Sequence, residues 1–164
     1  MTLRPSWTSG LPAISRQNPA LVSRIDGEPM GSNASAGSLL RVLVVDDNAD
    51  FADSLALLLR WHDYAVRTEY DARAALDTAI RFRPHAALLD LSMPGMSGFD
   101  LARALRGAEA TRATKLIAIT GLGSPEDRAR SREVGFDHHL LKTTDFDAID
   151  RLLRSIGQEH GPLP

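Results

Sequence analysis

The chain has 164 residues, 43% of them hydrophobic, and a formal net charge of −2. That is enough for one domain with its own core, and it gives no electrostatic case for nucleic-acid binding. The absence of cysteine excludes disulfides and thiolate metal sites. No apolar run nears the roughly 20 residues of a membrane span, and no basic-then-apolar leader opens the chain, so a soluble cytoplasmic protein is expected.

Residues 1–38 hold four Gly, four Pro and seven Ser without any sustained period. Such a stretch buries too little to offset its ordering entropy, so a disordered N-terminal tail is expected. Its Arg and Ser content is faintly that of a transit peptide, but Asp26, Glu28 and the prolines argue against one. Translation from Met30 is a second reading of the same segment.

From Leu39 onward, strand-like and helix-like segments alternate. Residues 41–46 form the first strand. Asp50 to His62 places Phe51, Leu55, Leu58, Leu59 and His62 on one helical face. Residues 65–69 make a short second strand. Asp71 caps a helix to about Arg81, with Ala75, Leu76, Ala79 and Ile80 on its apolar side. Pro84 ends it, and residues 86–91 are the third strand. Met93-Pro94-Gly95-Met96-Ser97-Gly98 is a turn-rich loop, followed by a helix from Phe99 to about Arg106. Residues 116–120 are the fourth strand. Ser124-Pro125-Glu126-Asp127 combines an N-cap, a first-turn proline and a capping acid, and opens a polar helix to about Val134. Residues 138–141 are the fifth strand. The last helix, Asp145 to Ile156, aligns Phe146, Ile149, Leu152, Leu153 and Ile156. Residues 158–164 are read as a flexible C-terminal tail, with the folded domain spanning 39–157 and no output domain after it.

Five strands alternating with five helices imply an α/β fold, a doubly wound parallel sheet with helices on both faces. In such sheets ligands bind beyond the carboxyl ends of the strands. Those ends carry Asp46, Asp47, Asp90 and Thr120. Two carboxylates about 4 Å apart at an effective dielectric near 20 repel by roughly 4 kcal/mol, so a cation is required. Hard oxygen ligands suit Mg²⁺. Lysine occurs only at 115 and 142, and Lys142, ending a strand, can add a fixed positive charge. A phosphoryl group on one carboxylate would meet metal and ammonium together, which favours phosphoryl transfer through an aspartyl phosphate.

Asp46-Asp47, Asp90 with the loop Ser92-Met93-Pro94-Gly95-Met96-Ser97-Gly98, Thr120-Gly121 and Leu140-Leu141-Lys142 resemble the receiver domain of two-component response regulators. The resemblance covers about residues 40–157. It implies a flavodoxin-like fold with strand order 2-1-3-4-5. It also implies Asp90 as phosphoacceptor, with Asp46, Asp47, Asp90 and the backbone carbonyl of Ser92 as Mg²⁺ ligands. Thr120 would be the switching hydroxyl, Lys142 the partner of the phosphoryl group, and His139 the residue at the position of the family's switch aromatic. The donor would be a phosphohistidine on a histidine kinase or phosphotransfer protein, and the output an altered affinity for a downstream protein, with no direct nucleic-acid or membrane contact. No turnover enzyme is implied, beyond self-phosphorylation from small donors and self-dephosphorylation. A stand-alone regulator or shuttle fits, as does a detached piece of a hybrid histidine kinase.

Two departures from the family pattern stand out. Thr143 occupies the place of a proline that often follows a cis bond. A cis bond before a non-proline costs about 2.5–4 kcal/mol, so a trans bond and a shifted loop are expected. His139 replaces Tyr or Phe and can carry charge. Ser92 and Leu122 flank the expected phosphoryl site and can tune water access. Two other functions compete: a degenerate receiver acting as a phosphorylation-independent binding module, and a Mg²⁺-dependent phosphohydrolase, which would need a further acid/base carboxylate and a cap that the sequence does not display. Taken singly, each site residue also has an ordinary role: Asp46-Asp47 as a helix cap, Asp90 as a strand-end acid, Thr120 as a satisfied strand residue, Lys142 as a solvated cation. His138-His139 is not read as a metal pair, because adjacent strand residues face opposite ways. Arg128, Arg130 and Arg132 mark a solvated or partner-facing helix.

Overall fold

The computed structural model describes residues 39–121 and 123–159; the tail 1–38, residues 160–164 and Leu122 lie outside the described residues. Its elements are β1 (Arg41–Val45), α1 (Ala49–Trp61), β2 (Ala65–Glu69), α2 (Ala72–Phe82), β3 (Ala86–Asp90), α3 (Gly98–Gly107), β4 (Lys115–Thr120), α4 (Pro125–Val134), β5 (His138–Leu141) and α5 (Phe146–Glu159). The strands form one parallel sheet, as the alternation implied, in the order β2-β1-β3-β4-β5 that the resemblance implied. No helix among the described residues is long and apolar enough to cross a membrane.

The continuous apolar runs of the central strands are explained by burial on both faces. Leu43, Val45, Leu89, Leu116 and Ala118 face one layer with Ala72, Ala75 and Ala79 of α2 and Leu101 and Leu105 of α3. Their chain neighbours Val42, Val44, Leu88, Ile117 and Ile119 face the other, with Leu55 and Leu59 of α1 and Ile149, Leu153 and Ile156 of α5. The period of two thus splits each strand between two cores. Crossing from β1 to β3 reverses the direction of winding and leaves a crevice at their carboxyl ends.

The caps read from the sequence are in place. The Asp71 carboxylate accepts from the amides of Arg73 and Ala74, and the Ser124 hydroxyl accepts from the amide of Asp127. Three helix details differ from expectation. α1 buries Ala52, Leu55, Ala56 and Leu59 but leaves Leu58 exposed, and His62 caps the helix with a partly exposed ring. α2 buries Ala72, Ala75 and Ala79 and exposes Ile80. In both, small side chains let the helix approach the sheet, which outweighs the size of the leucine or isoleucine beside them. α5 runs through Gly157 to Glu159 rather than stopping at Ile156. One glycine costs about 1 kcal/mol in a helix, too little to end one docked along its length.

A short 3₁₀ turn at Glu109–Thr111 follows α3 and was not anticipated. Nearby, Arg106 donates to the carbonyls of Arg112, Thr114 and Gly135 and to the Asp137 carboxylate. Asp137 also accepts from the Leu116 amide. One guanidinium thereby ties α3 to the entrances of β4 and β5, at the sheet edge opposite the strand ends that carry the acids.

Candidate functional site

β1 and β3 are adjacent, so their ends deliver Asp46, Asp47 and Asp90 to one point. Each offers a carboxylate oxygen within 4.8 Å of the other two. This is the one such group of three or more potential metal ligands among the described residues. Asp46 and Asp90 are buried, whereas Asp47 is exposed on the solvent side. The Asn48 amide donates to Asp46 Oδ1 at 2.9 Å, and the same residue's side chain caps α1 through the Phe51 amide. Asp46 Oδ2 ion-pairs with Lys142 Nζ at 2.7 Å and takes no hydrogen bond from elsewhere among the described residues.

Lys142 bridges the cluster, with its ammonium also 3.4 Å from Asp90 Oδ1. The ammonium lies 5.0 Å from the centre of the Phe51 ring, a cation–π contact that steadies it from the α1 side. Its position follows from strand pairing. Thr120 pairs with Leu141, and the Lys142 amide donates to the Thr120 carbonyl at 2.8 Å. Thr120 therefore ends β4 next to the cluster, and its side chain is buried. The peptide bond between Lys142 and Thr143 is trans, as expected for a non-proline.

The loop after β3 is shaped by two glycines. Gly95 has φ +77°, a left-handed conformation that suits glycine. Gly98 begins α3 so close to β3 that a Cβ there would lie 2.1 Å from the Asp90 carbonyl oxygen. That closeness holds the loop over the strand end, and the Ser92 amide donates to Asp90 Oδ2 at 3.2 Å.

The electrostatics match the crowding. Burial is the largest cause raising the Asp90 carboxyl above the ordinary carboxylate range; Lys142 opposes the rise, and Asp46 and Asp47 add to it. Burial alone would weaken the Lys142 ammonium's hold on its proton, but Asp46 and Asp90 outweigh it and strengthen that hold. The donor set of three carboxylates fits a hard divalent cation.

Of the residues singled out in the sequence, Asp46, Asp47, Asp90 and Lys142 come together, with Thr120 and Ser92 at the rim. His139 does not join them: it pairs across the sheet with Ala118 and packs toward Ser131 of α4. His138 is exposed. Phe51, Asn48 and Gly98 complete the site, and sequence reasoning gave them no role in it. Asn48, next to two acids and three residues before an apolar helix position, carried a readable cap signal. The other two depend on tertiary approach.

The model for the response regulator receiver domain matches residues 42–154. The chain belongs to that family and is a receiver domain of the two-component type. It is 29% identical over 118 residues to the response regulator ArlR of Staphylococcus aureus, an alignment covering 72% of this chain and 52% of ArlR. The chain thus spans about half the length of the curated relatives it matches. Among solved structures it resembles the chemotaxis protein CheY4 of Vibrio cholerae, with a TM-score of 0.69 and 28% identity over 73% of this chain and 99% of that one. The BeF3-activated N-terminal receiver domain of Klebsiella pneumoniae RstA gives a TM-score of 0.65 and 30% identity, covering 70% of this chain and 96% of that one.

Proposed function

We propose that the chain takes a phosphoryl group from a phosphohistidine onto Asp90 and signals by a changed affinity for a downstream protein. The observation that carries this reading is the Lys142 ammonium bridging two buried carboxylates beside an exposed third. That arrangement binds charge, with Asp90 at the end of β3 as the oxygen nucleophile. In the transfer, an Asp90 carboxylate oxygen forms a bond to phosphorus while the bond from phosphorus to the donor imidazole nitrogen breaks. Lys142, held protonated, can leave Asp90 for the new phosphoryl oxygens while keeping its partner Asp46. Asp46, Asp47, Asp90 and the Ser92 carbonyl are the groups that would hold Mg²⁺, which when bound supplies compensation for the charge gathered on the phosphoryl oxygens. Thr120, at the neighbouring strand end, is suited to offer its hydroxyl to the product.

The test is intact mass after incubation with Mg²⁺ and phosphoramidate. Wild type should gain one phosphoryl group, and Asp90→Asn should gain none. Removing Mg²⁺ with a chelator should abolish the gain. If wild type stays unmodified with phosphoramidate and also with a purified phosphohistidine donor, the chain is a binding module that has kept the pocket without its chemistry.

A further inference from the structure

His139 occupies an unusual hydrogen-bonding position. The Ser131 hydroxyl donates its single proton to the Asp127 carbonyl at 2.7 Å. Ser131 Oγ also lies 3.1 Å from His139 Nδ1. With the hydroxyl proton already committed, Oγ can only accept there, so the network assigns the proton to Nδ1. His139 Nε2 is then a bare acceptor. It is buried and has no hydrogen-bond partner among the described residues. The ring lies against the backbone just before α4, where a Cβ on Gly123 would come 3.5 Å from Nε2 and 3.6 Å from an Arg128 Nη.

From this geometry we infer that His139 is a proton-operated latch on the α4–β5 face: the neutral ring stays seated between Gly123 and Ser131, and protonation at Nε2 drives it out to solvent. The proton comes from water and lands on the one ring nitrogen with a free lone pair. In the seated position the resulting cation would have no acceptor at Nε2 and would face Arg128. Among the charged groups that bear on the ring, Arg128 opposes protonation and Asp127 favours it, both from α4. Arg132 of α4, Asp137 and His138 line the same groove, and Asp137 is engaged by Arg106. Burial is the largest influence, and it too favours the neutral ring. His138, exposed on the same strand, is the internal control.

The ring's response to protons does not depend on phosphoryl chemistry; its value as a regulator of partner binding rests on the receiver reading. The experiment is nitrogen and carbon NMR of the histidine rings and backbone amides in the full chain across pH 5 to 8. The expected result is a neutral His139 ring with its proton on Nδ1, titrating below the ordinary histidine value near 6.5. The amide signals of Gly123 and Ser131 should move with the His139 ring. Their pH response should vanish in His139→Phe and persist in His138→Gln. Should the phenylalanine variant fail to fold, the wild-type tautomer and the His139 midpoint decide alone. A His139 ring protonated on Nε2 when neutral, a His139 midpoint at or above the ordinary histidine value near 6.5, or amides that ignore His139 would overturn the latch. Phosphoryl gain on the same sample separates the two readings: mass gain without the titration pattern sinks the latch alone, and the pattern without mass gain sinks the receiver chemistry alone.

Discussion

α4 and α5 stand on either side of β5 in the chain, and they are held by different physics. α5 buries Ile149, Leu153 and Ile156 in the core. Its outer side is pinned where Asp150 accepts from Tyr64 Oη at 2.7 Å and from Arg154 Nε at 2.8 Å. α4 buries a single residue, the polar Ser131. Its remaining anchors are a cap at Ser124, the partly buried Val134 and an Arg130 guanidinium over the Phe99 ring. A helix with so little apolar contact opens at low cost. The element adjoining Thr120 and His139 is thus the loosest of the five, while α5 keeps the opposite face rigid.

The largest expected effect tests the strong side. Leu153→Ala, at a fully buried position, should lose about 2–5 kcal/mol in urea unfolding, while Arg132→Ala on α4 should stay within about 0.5 kcal/mol. Comparable losses would erase the contrast. Next comes Ser131→Ala, which strips the partner from His139 Nδ1 and should cost about 1–3 kcal/mol; a neutral outcome would mean that α4 is not fastened by that hydroxyl. Ser124→Ala should cost about 1 kcal/mol and raise hydrogen exchange in α4 before any other helix. Exchange rising equally in α5 would show that the two helices open as one unit.

The mildest probe is acid, and it separates the two helices without a mutation. His139 is held neutral by burial and by Arg128, so its folded pKa lies below the unfolded value near 6.5. The stability it contributes is present above that pH and is lost as pH falls toward the folded value. Asp150 is also depressed: burial would raise it, but the bonds from Arg154 and Tyr64 prevail. Its contribution is present above the unfolded value of 3.8 and is lost at still lower pH. As pH falls, stability should therefore lose one increment that is absent in His139→Phe and, at lower pH, a second that is smaller in Asp150→Asn. A single step removed by neither variant would refute this assignment.

These contrasts also mark how far the sequence was legible. The central strands β1, β3 and β4 were readable because each carries an unbroken apolar run, and the helix starts at 71 and 124 because their capping chemistry is local. The acid cluster was readable because strand order alone brings the ends of β1 and β3 together. Which face of α1 and α2 meets the sheet was less so, since Ala56 and Ala79 lie inside while Leu58 and Ile80 lie outside. Arg106 and Asp137 are separated by 31 positions in sequence, and no local pattern announces their pairing. The Ser131–His139 bond had no such signal either, and the looseness of α4 was visible only as polarity.

Gly98 has one more consequence. A library of all single substitutions, read out by signalling, would show a nearly blank column at 98, since any side chain must start 2.1 Å from the Asp90 carbonyl oxygen. At Gly121, where a methyl group would meet nothing within 4 Å, the same library should let alanine through. The blank column would rank beside that of Asp90, the proposed phosphoacceptor, yet residue 98 has no side chain with which to do chemistry. Intolerance there would record the thickness of the wall between loop and strand, and a functional map drawn from tolerance alone would mistake that wall for part of the reaction.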